Sequence, residues 1–483
     1  MADRTSQRSV HRALILKELR EISRDGRFRV AGAVVLALLL ATLAFGAREQ
    51  QSVKAERAAA QATADDHFRA QDEKNPHVAA HYGTYVFKPS GVLAFVNPGV
   101  DAFVGVSLKL EAHKRNPLEG AKARDGTALS RFSRLSVAQV IELLVPLLLI
   151  GIGFGVWTSE RERGTLRQLA SLGVAPRALL LGKLLGLLGA MALLLVPAGL
   201  LGTAIVALLV DLGGPGTLPR GLALVAGYAV YILAWVLLTL LVSAHASSSR
   251  AALVTLLGLW VVGGLVVPRL AADAAVAAAR APTSARVAAN VRESLTRGLP
   301  GGPDREARVS ELTEKLLERH GFLGAETLMD ASLLSGLELQ AEAAFENEVI
   351  DHHFAVLARA LDRQDRFLQL FGALSPVVAV RSLSMALAGT DGAHHRHFSD
   401  SAERHRRELV ELLNTEFAER GGALGFDYKA GRELWAKAPV LRYEQPTLGW
   451  VLGRQWPSVA LLVGWLVLAG AGALRAVRRM RVV

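Results

Sequence analysis

Six stretches of the chain stay apolar long enough to cross a bilayer, and between them the pattern turns polar or takes on a helical period. A hydrocarbon core of about 30 Å needs roughly 20 largely apolar residues in helical form. Val30–Ala47, Val137–Trp157, Leu184–Val210, Leu222–Ala244, Ala251–Pro268 and Trp456–Leu474 meet that need and predict six transmembrane helices. A secretory signal is the competing reading of the first, because a basic region precedes it. The basic arm is long for a signal, and Ala41–Gly46 offers no clean small-x-small cleavage site before Arg48.

The remaining pattern is aqueous and falls mainly into two insertions, 48–136 and 269–453. In the first, Gln51–Asn75 reads as a polar helix, and a Gly/Pro-punctuated stretch from Pro76 to Pro117 follows with short apolar runs such as Val92–Val96. The second reads as helical. Gly298–Pro303 breaks the chain, and Asp304 starts a charged helix through about Arg319. Phe345, Val349, Val356, Ala360 and Phe367 recur at helical spacing between about Glu338 and Phe371, and Ser375-Pro376 opens a helix that stops near Gly389. Asp400 with Glu403 makes a capping-box pattern ahead of Leu409, Leu412, Leu413 and Phe417. The expected fold class is an all-α polytopic membrane protein: six transmembrane helices and two mainly helical extracytoplasmic insertions.

Composition agrees with that division. The chain has 483 residues, 51% of them hydrophobic, with a mean hydropathy of +0.30. That is too apolar for an ordinary soluble enzyme and too charged for a chain buried in lipid throughout. The absence of cysteine excludes disulfides, thiolate metal sites and cysteine nucleophiles. The net charge of +11 points to the lipid bilayer and to orientation, with no nucleic acid expected as a partner. Arg4, Arg8, Arg12, Lys17, Arg20, Arg24, Arg27 and Arg29 precede the first span, and Arg475, Arg478, Arg479 and Arg481 follow the last. Both termini are expected in the cytoplasm. Six crossings then place the basic connection Thr158–Lys183 inside and the weakly charged turn Asp211–Arg220 outside.

That inner connection carries the densest candidate chemistry. Glu160, Arg161, Glu162 and Arg163 cannot enter lipid and must meet water or a protein surface. Gly164 permits a sharp turn before Thr165, and Leu166 with Leu169 makes a short apolar edge suited to a groove on a partner. A solvated, self-paired loop is the plainer reading. At the N-terminus, Ile15, Leu19 and Ile22 share one helix face while Arg12, Lys17, Arg20 and Arg24 occupy others, an amphipathic pattern suited to the membrane interface. A helix packed on another part of the protein is the alternative.

The run Glu160-x-Glu162-x-Gly164-Thr165-Leu166, with Leu169, Pro176-Arg177 and Gly182-Lys183, resembles the signature of ABC-2-type permeases. In that family the element is the coupling helix that docks on the ATPase. Leu16-Lys17-Glu18-Leu19-Arg20-Glu21, with Arg24-Asp25 and Arg27-Phe28, is similar to the family's N-terminal interfacial helix, to which Ile15 and Ile22 also belong. Asn75-Pro76-His77, Tyr82-Gly83, Phe87-Lys88-Pro89, Leu374-Ser375-Pro376 and Ala388-Gly389-Thr390-Asp391 resemble a bacterial branch with large extracytoplasmic insertions. That branch is related to gliding-motility and copper-enzyme-maturation permeases.

The resemblance implies a non-catalytic, multi-pass subunit in a bacterial cytoplasmic membrane. It would work with a cytoplasmic ABC ATPase that holds the ATP and magnesium, and with a second permease subunit, identical or paired. Export is the implied direction. A mechanotransmitter that moves a periplasmic partner without transport is the alternative. The chain itself shows no Walker pattern: around Gly182-Lys183, residue 177 is Arg where Gly is needed, and Leu184 stands in the Ser/Thr place.

Other candidates are weaker. Gly151-x-Gly153-x-Gly155 and Gly182-x-x-x-Gly186 sit in or beside spans, where close helix packing explains them. Glu142 is the one acidic residue well inside a predicted span, so it faces a pathway or a neighbouring helix, or snorkels to the interface. Pro146 and Pro197 are candidate kinks. His77, His81, the pair His352-His353, and His394, His395 and His397 read as loop histidines, since Pro76 and Gly83 argue against a helix around His77. No metal site is expected from them.

Overall fold

A computed structural model describes residues 2–125, 135–209, 216–321 and 331–480. Six of its helices are long and apolar enough to cross a membrane: Gly26–Arg69, Val137–Glu162, Pro176–Leu208, Thr217–His245, Ser249–Ala278 and Leu448–Arg479. They are called spans 1 to 6 here. Each covers all or nearly all of the apolar stretch that predicts it and outruns it at one or both ends; Val210 and the first half of the turn Asp211–Arg220 lie outside the described residues.

The overruns have local causes. Span 1 continues without a break for 44 residues, because nothing between Ala47 and Arg69 stops a helix rich in Ala, Glu and Gln. It absorbs most of the polar helix expected at Gln51–Asn75. Asn75 instead caps the next helix, Pro76–Tyr82, its Oδ1 accepting from the backbone N–H of His77 and Val78. The expectation that Pro76 opposes a helix there is overturned: Pro occupies the first turn, where its missing N–H costs nothing.

Span 5 likewise runs past Pro268, its expected end. A π-helical turn, Val262–Val266, immediately precedes Val267-Pro268. Span 2 has the same arrangement, with π-helical Val140–Leu144 before Val145-Pro146. These turns loosen the backbone ladder, and side chains complete it. Tyr231 Oη donates to the Glu142 carbonyl at 2.5 Å, Trp260 Nε1 to the Leu143 carbonyl at 3.0 Å, and Ser375 Oγ to the Gly263 carbonyl at 2.6 Å.

Two further helices complete the bundle. Ala2–Arg24 lies along span 3, and Pro376–Ala388, from the second insertion, packs against spans 4 and 6 and touches both π-helical turns. Nearly every side chain of Pro376–Ala388 is buried. It therefore belongs to the bundle, although sequence position groups it with the aqueous segment 269–453. Its ends are capped: Ser375 accepts from the Val377 N–H, and the Gly389 N–H returns to the last turn.

The insertions pack on each other beyond one end of the bundle. The first contributes a small antiparallel sheet of β1 (Thr84–Phe87), β2 (Ser107–Glu111) and β3 (Lys114–Arg115), in that order, with Thr84 opposite Leu110 and Leu110 opposite Arg115. Its inward residues Val86, Leu108 and Leu110 meet Phe398 and Ala402 of helix Gly392–Arg420. That helix starts at Asp391, whose side chain accepts from His394 N–H. Asp400 and Glu403 thus lie inside a helix and form no capping box; buried Glu403 instead pairs with Arg406 and Arg407. Helices Ser284–Arg297, Arg305–His320 and Ala331–Leu370 build the rest.

Candidate functional site

At the end of the bundle away from the insertions, residues 158–171 form two short helices, Thr158–Glu162 and Thr165–Ser171, joined through Gly164. Gly164 adopts φ 76°, a left-handed conformation that a side chain would oppose, so the sharp turn expected there is present. The charges behave differently from a free docking surface. Glu160 is drawn inward and accepts from Lys17 Nζ at 2.5 Å and pairs with Lys183 Nζ at 2.9 Å. Lys183, almost wholly buried, also donates to Glu18 at 3.0 Å and lies over the Trp157 ring. Burial works against the Lys17 ammonium, but Glu160, Glu18 and Glu21 outweigh it and hold its pKa above the ordinary lysine value. The result is a clasp joining the N-terminal helix, the Thr158–Glu162 helix and span 3.

The neighbouring charges are also used within the chain. Arg161 donates to the carbonyls of Ala244 and Ala246, and Glu162 accepts from Ser249 N and Oγ at 2.7 and 2.8 Å, capping span 5. Thr165 Oγ1 donates to the Glu160 carbonyl. Leu166, expected at an apolar docking edge, is buried in the bundle core, and Leu169 is half-buried against it. Glu160, Arg161 and Glu162 are thus all paired within the chain. What faces outward is a strip in which Arg163 and Arg177, both singled out in the sequence, are joined by Arg167, Gln168 and Leu172, which were not, with Leu172 77% exposed.

The N-terminal helix is packed along span 3. Its buried line is Leu14, Glu18 and Ile22, while Ile15 and Leu19 are half-buried at its edge. The glycines of span 3 make this possible. A Cβ added at Gly182 would come within 2.9 Å of Leu14 Cβ, and one at Gly186 within 2.5 Å of Glu18 Cβ. Close packing also accounts for Gly153, whose added Cβ would meet Thr239 at 2.7 Å.

Toward the other end, Glu142 is 1% exposed and receives Arg381 Nε at 2.9 Å. It does not snorkel. The partner comes from helix Pro376–Ala388, so the pair joins span 2 to the second insertion. Both residues line a cavity of about 470 Å³ shared with Gln50, Arg57, Asn97 and Met385. Glu142 Oε1 has no hydrogen-bond partner among the described residues. A further residue not foreseen is Arg220, 2% exposed, which donates to the Leu387 and Pro446 carbonyls and contacts His394 Nε2. Its charge stands at the C-terminal end of Pro376–Ala388, where the helix dipole favours a cation.

The histidines are not simple loop residues. His77 and His81 lie one turn apart on helix Pro76–Tyr82, and His113 approaches both from the β2–β3 turn. Burial lowers the pKa of His77 and His81, whereas the Glu346 hydrogen bond raises that of His113. His352 and His353 meet edge to face, and His394 and His397 pack against Trp450.

The sequence profile of the ABC-2 family transporter proteins matches residues 12–480. This chain belongs to that family. No curated protein sequence matches it. ABC-2 membership makes the chain a multi-pass membrane subunit of a transporter that associates with an ABC ATPase. Subunits of this kind are generally non-catalytic.

Proposed function

We propose that the chain is the permease subunit of an ATP-driven exporter of a bacterial cytoplasmic membrane. A cytoplasmic ATPase docks on the outward strip of Arg163, Arg167, Leu172 and Arg177, and the Lys17–Glu160–Lys183 clasp passes its movement to the spans. The clasp is the observation that carries this reading. The short helix Thr165–Ser171 is continuous through Gly164 with a segment that holds the N-terminal helix and span 3 by Glu160, and the span 4–span 5 connection by Arg161 and Glu162. A force on one docking element thus reaches four others through charged contacts, of which the enclosed Glu160–Lys183 pair is the least screened. ATP and magnesium stay on the partner, and a second permease subunit completes the pathway. The cavity beside Glu142 and Arg381 is the candidate pathway on the far side, and ATP binding shifts the bundle between two conformations by differential docking.

The test reverses the docking strip without touching the clasp. Arg163→Glu with Arg167→Glu abolishes co-purification of the ATPase while the permease folds and inserts normally. Retained co-purification and substrate-stimulated ATP hydrolysis in that variant would reject the docking assignment.

One observation favours a second reading, mechanotransmission. Arg381, the partner of Glu142, sits on a helix that leads through Gly389 and Asp391 into Gly392–Arg420 of the second insertion. Bundle movement then reaches the insertions directly, which is the output a mechanical regulator needs. ATP-dependent substrate accumulation in reconstituted vesicles separates the two.

A further inference from the structure

The histidines of the first insertion converge on one point. His77 Nε2 and His81 Nε2 are 3.2 Å apart. One ligand nitrogen from each of His77, His81 and His113 falls within 4.8 Å of the others. Two imidazole nitrogens bound at about 2.0–2.1 Å in tetrahedral geometry stand about 3.4 Å apart, so the first pair already spans a coordination edge. A shift of His113 by about 1.5 Å closes the triangle.

In two of the three, His77 and His113, another ring nitrogen is engaged. His77 Nδ1 meets Asn414 Oδ1 at 3.1 Å, and His113 Nδ1 meets both Glu346 carboxylate oxygens at 2.9 and 3.0 Å. Carboxylate and amide oxygens accept, so each Nδ1 carries the proton and each Nε2 keeps its lone pair. Orientation of a histidine by an acceptor behind it is the usual second layer of a metal centre. His113 is also the only non-glycine residue with positive φ among the described residues, at 66°. A backbone held in that region needs surroundings that over-determine it. The cluster is open on one side, since His81 is exposed while His77 is buried.

From this convergence we propose that His77, His81 and His113 form a binding site for a divalent first-row transition ion, of which zinc(II) is the reference case. Three neutral nitrogen donors and no thiolate suit zinc and its neighbours and disfavour magnesium or calcium, which take oxygen. The open side leaves a fourth position for water or an external ligand. All three ligands belong to the first insertion, while Asn414 and Glu346 belong to the second. The ion therefore stiffens the contact between the two insertions, and its occupancy is a signal that the permease can sense on the side opposite the ATPase-docking strip.

The experiment uses full-length protein in detergent, stripped with chelator and titrated with zinc(II) against a chromogenic competitor. One equivalent binds, and the bound protein melts at a higher temperature. Cobalt(II) in the same site gives the intense visible bands of four-coordination. His113→Ala and the exposed His81→Ala abolish the stoichiometric binding, and Glu346→Gln weakens it by roughly 10- to 100-fold. Because His81 is exposed, its variant keeps the unliganded melting temperature and serves as the folding control. A hydrogen-bonded histidine cluster only, seen as no stoichiometric binding, overturns the proposal. So does binding that survives both His81→Ala and His113→Ala, or an octahedral cobalt spectrum.

Discussion

Arg381 Nε donates to Glu142 Oε2 at 2.9 Å across 239 positions of sequence. The carboxylate is fully enclosed in span 2, whereas the guanidinium is one-third exposed toward the cavity. Removing either partner alone has unequal consequences. Arg381→Ala leaves a buried, unpaired carboxylate, expected to cost about 3 kcal/mol of stability. Glu142→Gln leaves Arg381 its route to the cavity and costs less. The double variant Glu142→Gln/Arg381→Met recovers much of the loss. Melting curves of the three variants in one detergent check this order.

The clasp at the opposite end separates docking from transmission. Glu160→Gln weakens the pairs with Lys17 and Lys183 but leaves Arg163, Arg167 and Leu172 where they are. The ATPase still co-purifies, and substrate no longer stimulates its hydrolysis, by a factor of at least about 10 if the clasp carries about 1.4 kcal/mol of coupling. Loss of co-purification in this variant would place Glu160 in the docking surface itself. Glu160→Arg is a poorer probe, since it sets a third cation against two lysines.

Gly186 tests the packing of the N-terminal helix. Its added Cβ would stand 2.5 Å from Glu18 Cβ, and no real contact is so short. Gly186→Ala is expected to lift Ala2–Arg24 from span 3 and cost about 1–3 kcal/mol. Trypsin cleavage at Arg20 or Arg24 becomes faster in the variant, whereas Gly199→Ala, with open space around it, behaves as the parent does.

Asp391 supplies a pH dependence. Burial pushes its pKa up, but the His394 side chain and the capped His394 N–H prevail, and the folded value lies below the ordinary aspartate value. A depressed carboxyl contributes stability that is complete above the unfolded pKa near 4 and is lost as pH falls through the folded value. Asp391→Asn keeps a neutral cap and forfeits the charge. It should melt lower than the parent at pH 7, by about 1.5 kcal/mol, and the two curves should converge as pH drops below about 4. A gap that persists or widens in acid would assign the effect to packing.

Much of the fold was legible because its signals are local. Run length marks a span, a Ser-Pro or Asp cap marks a start, and Gly389 or Gly321 marks a stop, each within a few residues of chain. The Asp304 and Ser375 starts were read correctly for that reason. Misreadings arose where two local cues competed. Pro76 and Pro268 look like breakers, but one sits in a first turn and the other follows a π-helical turn, and only backbone geometry distinguishes these from an interior proline.

The sequence alone determined where six apolar runs of spanning length lie, that Gly164 permits a sharp turn, and that Glu142 must either face the bundle or reach the interface. Hydrophobic pattern and motif spacing suffice for these statements, because they concern what each residue requires from its surroundings. Tertiary structure decided which surroundings meet the requirement. It turned Glu160 and Leu166 inward and left Arg167 and Leu172 outside, seated Pro376–Ala388 among the spans, and brought His113 to His77 and His81. These are choices of partner across tens to hundreds of residues, and a charge or an imidazole carries no mark of which distant neighbour will satisfy it.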